Sequence, residues 1–218
     1  MANTVQDVTD RVMDILVEDG TGQWLTTELV DWYNSGQLAI ATAKFDANST
    51  LAAVALAQGI KQSLTIPALA IGRITRNMGS TGLVPGAAIT LTDFDILTLS
   101  DPTWTTTTST PTVKHYMLDP LDPLTFWVYP GNSGGSYVEI EYSKPPAIIM
   151  YDAGAGTWAT MEIEIKPGYF DTLVDYVLWR AFSKDTGSVG NLARAEAYEE
   201  SYYNSVGMKV GGRRGKSR

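Results

Sequence analysis

Apolar residues Val5, Val8, Val12, Ile15 and Leu16 recur mostly at spacings of three and four, the stripe of an amphipathic helix. Thr4 stands where an N-cap belongs. Asp7, three residues on, completes a capping box with Asp in place of the usual Glu. The pattern ends at Glu18-Asp19-Gly20, with Gly22 close behind. A second helix is expected after Trp24-Leu25, capped by Thr26 or Thr27, with Glu28 near the positive end of its dipole. Its inward face reads Leu29, Trp32, Tyr33, Gly36 and Ile40, reaching Phe45. A glycine inside a helix costs about 1 kcal/mol relative to alanine, so Gly36 predicts a close approach by a neighbouring element.

From Asn48 the period shortens. Alternating or short apolar runs broken by Gly, Pro, Asn and Asp predict strands over 51–56, 62–66, 68–76, 88–91, 113–118, 124–129, 137–143 and 161–165. The first run is alanine-rich and suits a helix by propensity alone. Gly59 and the matching run Gln62–Ile66 favour a hairpin instead. Gly131-Asn132-Ser133-Gly134-Gly135 reads as a hairpin turn after Pro130. The threonine-rich stretch between Pro102 and Pro111 reads as an exposed loop.

Helical spacing returns after Pro167-Gly168. Phe170, Leu173, Val174, Val177, Leu178, Ala181 and Phe182 form one broad stripe ending near Gly187. A last helix follows Asn191, with Leu192, Ala195, Tyr198, Tyr202 and Val206 facing inward, and stops at Gly207. This order predicts an α+β fold. Residues 1–47 and 167–208 would form a helical bundle, residues 48–166 an inserted β-rich domain, and residues 209–218 a basic flexible tail.

Composition narrows the chemistry. The chain has 218 residues, no cysteine and one histidine. Disulfides, cysteine nucleophiles and thiolate or multi-histidine metal centres are thereby excluded, and no cofactor or metal site is expected. No apolar run reaches the roughly 18 residues of a membrane span, and the polar, acidic start is unlike a secretion signal. No membrane role is expected. Charge is uneven: Lys209, Arg213, Arg214, Lys216 and Arg218 give the tail +5, and residues 1–208 carry 11 bases against all 24 acids. An acidic body repels phosphate, so nucleic-acid contact is expected only through the tail.

Isolated candidates for chemistry have simpler readings. His115 shares an alternating run with Val113 and Met117, as a packing or hydrogen-bonding residue would. Glu139 and Glu141 fall on one strand face, as on the solvated side of a half-buried sheet. Glu162 and Glu164 alternate in the same way. Asp119, Asp122 and Asp152 lack the spacing of a calcium loop and read as turn residues. Neither Gly131–Gly135 nor Gly154-Ala155-Gly156 has the Lys-Ser or Lys-Thr of a phosphate loop. Trp104, Trp127 and Trp158 keep open an alternative, a carbohydrate- or receptor-binding β module. A four-helix arrangement cannot bury aromatics on every face, so some of Tyr169, Tyr176, Trp179, Tyr198, Tyr202 and Tyr203 are expected at subunit contacts.

Several blocks together resemble the tailed-phage head-to-tail adaptor (connector) family, the ring beneath the portal. They are Trp24 with Glu28–Gln37, Arg73–Gly79, His115–Pro120 with Thr125–Pro130, Val138–Tyr142 with Pro145-Pro146, and Leu173–Asp185 followed by Asn191 and Ala193-Arg194-Ala195. They occur in the family's order over Val5 to Gly207. The resemblance implies a non-enzymatic virion protein at the head–tail junction, assembled in the host cytoplasm. It implies a homo-oligomeric ring, typically dodecameric, that docks on the portal protein and offers a platform to the tail or nozzle protein. DNA would pass through the lumen without sequence-specific binding. A carboxy-terminal extension reaches the portal in related adaptors, which assigns portal binding to Lys209, Arg213, Arg214, Lys216 and Arg218. The sequence departs from the family pattern at Ala52–Ala57 and in the threonine-rich loop.

Overall fold

The computed structural model describes residues 3–16, 24–184 and 189–208. In chain order its elements are α1 (Val5–Leu16), α2 (Thr26–Ala43), β1 (Ser49–Ala55), β2 (Gly59–Ser63), β3 (Ala70–Asn77), β4 (Thr90–Leu91), α3 (Phe94–Ser100), β5 (His115–Leu118), β6 (Thr125–Asn132), β7 (Tyr137–Ser143), α4 (Phe170–Lys184) and α5 (Val189–Ser205). The fold is α+β. The chain divides into two compact units, one of Met1–Asn48 with Pro146–Arg218, the other of Ser49–Pro145.

In the helical unit, α1 starts with the capping box its sequence predicts. The Thr4 N–H donates to Asp7 Oδ2 at 2.7 Å, and the Asp7 N–H donates back to Thr4 Oγ1 at 3.2 Å. Val5, Val8, Val12 and Leu16 are buried. α2 starts one residue sooner than its threonines suggest. Leu25 occupies the cap position, and the Glu28 carboxylate satisfies its free N–H at 3.3 Å. Leu29, Tyr33 and Ile40 of α2 share a core with Leu173, Val177, Leu178, Ala181 and Phe182 of α4. Gly36 lies at the tightest point of that contact, because a Cβ there would stand 2.7 Å from Leu173 Cδ1 and 2.8 Å from Tyr176 Cδ1. On α5, Ala195, Tyr202 and Val206 are buried. Leu192, expected to face inward, is exposed because it lies in the first turn, ahead of the seam those three residues make.

Residues 146–166, read from the sequence as the end of the β domain, fall with the helices. The strand expected over 161–165 is absent. Its backbone meets the short extended lead into α1, where Val5 N–H donates to Met161 C=O and Ile163 N–H to Asn3 C=O, both at 3.0 Å. Ile149 and Ile165 contribute buried side chains to the helical core.

The β unit holds a three-stranded antiparallel sheet, β1-β7-β3, and a four-stranded sheet, β2-β6-β5-β4, in which only β4 and β5 run parallel. Val54, Ile74, Val138 and Ile140 of the first sheet and Tyr116, Phe126 and Val128 of the second share one core. β1 forms despite its alanines because all seven of its residues pair with β7, and tertiary pairing outweighs intrinsic propensity. The expected hairpin of β1 with β2 does not form, since β2 pairs with β6 in the other sheet. Gly131–Gly135 is likewise no hairpin turn. It carries the chain from β6 in one sheet to β7 in the other, with Asn132 Oδ1 accepting the Gly134 N–H at 2.7 Å.

The sequence reading contains no counterpart of α3. Asp93 caps it through a 2.7 Å bond from the Asp95 N–H. Leu97 packs inward with Trp104 and Met117. The threonine-rich stretch is largely exposed, as expected, but contains a 3-10 turn at Trp104–Thr106 that buries Trp104.

Candidate assembly surfaces

His115 is tied into its own sheet. Its Nδ1 lies 2.6 Å from Thr90 Oγ1 on β4, and its ring stacks on Tyr129 of β6. Among the described residues, no group of three or more His, Asp or Glu side chains is placed to hold a metal ion.

Glu139 and Glu141 share the outer face of β7, and β3 answers them with cations. Arg73 Nε donates to Glu141 at 2.6 Å and Arg76 Nε to Glu139 at 2.9 Å. A hydrogen bond from the Thr75 hydroxyl, then that from Arg76, holds the Glu139 carboxyl below its ordinary value. This is a charge-matched ladder on a solvated sheet face.

Asp119, Asp122 and Asp152 each accept the backbone N–H two residues on, from Leu121, Leu124 and Gly154. They shape turns.

The three tryptophans considered for sugar stacking are spent on packing, Trp104 and Trp127 in one cluster around Phe94 and Trp158 in the helical unit. Trp104 is buried, with its indole N–H on Thr98 Oγ1 at 3.2 Å. Trp127 meets Phe94 edge-on at 4.9 Å and lies under Lys61. Trp158 packs on Tyr151 in the helical unit. Helical aromatics form a second cluster, in which Tyr176 and Trp179 both meet Tyr202 and Phe182 stacks on Tyr198. Burial pushes the Tyr202 phenol up to about 12. The expected portal-binding residues Lys209, Arg213, Arg214, Lys216 and Arg218 lie outside the described residues.

The family model described as SU10 adaptor protein matches residues 3–218. The chain belongs to the SU10 adaptor protein family. No curated protein matches it.

On this SU10 adaptor family member, the features that stand out are exposed apolar side chains. In the β unit, the exposed Leu91 and Ile96 line a groove with Phe94, Met117 and Leu118, and Leu99 of α3 is exposed as well. Leu83 and Val84 top an exposed loop. In the helical unit, Ile148 and Met150 flank the buried Ile149. Such side chains, rimmed by polar residues, suit contact with other proteins better than chemistry on a small molecule. The sequence reading missed the groove, although a signal was present. Phe94, Ile96, Leu97 and Leu99 give one short helix apolar residues on more faces than a single core can cover.

Proposed function

We propose that this chain is a head-to-tail adaptor subunit of a tailed phage, a structural virion protein whose copies form a ring joining the portal to the tail. The family match over residues 3–218 carries the reading. The exposed apolar groove and loop tip support it, since an adaptor works by association and needs several contact faces at once.

In this reading the helices from both ends of the chain form a bundle, and neighbouring copies meet in a ring, dodecameric in the virion. The portal protein lies on one side and the tail or nozzle protein on the other. DNA crosses the lumen without sequence-specific contact, which suits a body whose net charge is negative. The basic tail, Lys209–Arg218, docks on acidic portal surface, where its charges speed encounter and fix orientation.

Electron microscopy of the full chain mixed with its cognate portal tests this. A ring added beneath the portal is the expected result. A portal that stays bare while both proteins are intact overturns the proposal.

A further inference from the structure

β1 is an edge strand: it pairs with β7 along its whole length, and no strand lies on its other side among the described residues. Hydrogen-bond alternation fixes which backbone groups that leaves. Leu56 N–H donates to Ser136 C=O at 2.8 Å, so Val54, Ala52 and Thr50 also turn their backbone groups toward β7. Tyr137 agrees from the other strand, since it accepts from Met78 N–H and donates to Gly79 C=O, at the end of β3. Leu51, Ala53 and Ala55 therefore turn N–H and C=O outward, and their side chains are exposed too. Such an edge is a template for a further strand unless a charge, a proline, a bulge or a covering segment blunts it. The other edges have such devices. β2 carries Lys61 and a bulge between Gly59 and Lys61. β3 is met at both ends, by Pro123 C=O and by Ala87 and Ile89, and β4 is two residues long. β1, Ser-Thr-Leu-Ala-Ala-Val-Ala, has none of them.

We propose that this edge pairs with the same edge of a second copy, antiparallel about a two-fold axis at Ala53. Self-complementarity selects that occupant. With the axis there, Ala53 faces Ala53 of the second copy and Leu51 faces its Ala55. Each such pair exchanges two bonds, so every outward N–H and C=O of the three residues is satisfied. On the exposed face a leucine meets an alanine and an alanine meets an alanine, with neither bulk nor like charge opposed. Net charge points to the same unit. Residues 49–145 carry 5 bases against 7 acids, a net of −2, whereas the rest of residues 1–208 carries 6 against 17, a net of −11. Two copies therefore repel each other least through the β unit. The contact is isologous and closes at a pair. It is a state of the free chain, independent of the ring reading above.

Sedimentation of the full chain, with hydrogen exchange, tests this. One strand pairing buries less than a standard interface of roughly 1,600 Å², so a weak dimer is expected, its mass rising from one chain toward two between about 1 and 100 µM. The Leu51, Ala53 and Ala55 amides exchange freely at the dilute end and slow by about tenfold at the concentrated end. Ala53→Pro removes an outward donor that β7 does not use, so this variant keeps its fold and stays monomeric. The chain has no cysteine, so Ala53→Cys brings its only thiol to the axis, with Cα atoms about 5.5 Å apart, within reach of a disulfide. Ala55→Cys, four residues out of register with its own copy, links far less. Folded chain that stays monomeric at about 100 µM overturns the proposal, as does a dimer whose three amides stay fast, or equal linkage of the two cysteine variants. Amides that slow only when portal or tail protein is added give the edge to a foreign strand and overturn it too. Should Ala53→Pro fail to fold, the two cysteine variants decide alone. None of these outcomes touches the adaptor reading, which the portal experiment tests separately.

Discussion

Asn34 holds both backbone polar groups of Ile149. The Asn34 Oδ1 accepts the Ile149 N–H and Nδ2 donates to the Ile149 C=O, each at 2.8 Å. One helical side chain thus stands in for a neighbouring strand and satisfies both polar groups of an extended segment whose Ile149 side chain is buried in the helical core. Asn34→Ala removes both bonds and is expected to cost about 1–3 kcal/mol, the usual penalty for stranding partly buried polar groups. Asn34→Asp keeps the acceptor and loses the donor, so it should fall between. Chemical denaturation gives the order, and hydrogen exchange at the Ile149 amide should quicken in both variants. An unchanged exchange rate would show that the clamp does not hold the segment.

Gly36→Ala separates two opposed effects. Alanine favours the helix by about 1 kcal/mol, but its methyl would lie within 2.8 Å of Leu173 and Tyr176 side-chain atoms. Overpacking of this kind costs typically ~1–3 kcal/mol, so the variant should melt at lower temperature. A stabilised variant would show that α2 and α4 can separate slightly without loss.

The Glu139 carboxyl is depressed below its ordinary 4.5 in the folded state. Between that lowered value and 4.5 the unfolded chain binds more protons than the folded one. The stability Glu139 contributes is therefore complete above pH 4.5 and is lost as pH falls through the folded value. Glu139→Gln should melt lower than the wild type at neutral pH, by an amount that shrinks toward zero under acid. Its size should be roughly 1 kcal/mol or less, as for exposed ion pairs. A gap that stays constant from neutral pH to acid would mean the effect is not electrostatic.

Removing Lys209–Arg218 deletes five cations and no acid. The melting temperature should not move, because these residues are glycine-rich and charged and Val206 is the last buried core residue among those described. Portal attachment should weaken, and the difference between full-length and truncated chain should narrow as salt rises and screens the charges. Equal attachment of both chains at low salt would remove the tail from the portal contact.

The sequence by itself determined what depends on local order. The capping box of Thr4 and Asp7, the inward stripes of α1, α2 and α4, and the tight approach at Gly36 all follow from spacing within one helix. Most strand positions are legible for the same reason, and the ordered blocks pointed to the adaptor family before any fold was known. Tertiary structure alone decided which strands pair. β1 and β2 look like a hairpin because they are near in sequence, yet each is claimed by a distant strand whose full-length ladder satisfies more backbone groups. It also decided that residues 161–165 stay unpaired as a strand, for want of a neighbour beyond Asn3–Val5. The groove beside α3 is hinted at by the apolar residues on several faces of that helix, but its lining is assembled from separate elements, and no one-dimensional pattern records which side chains folding will bring side by side.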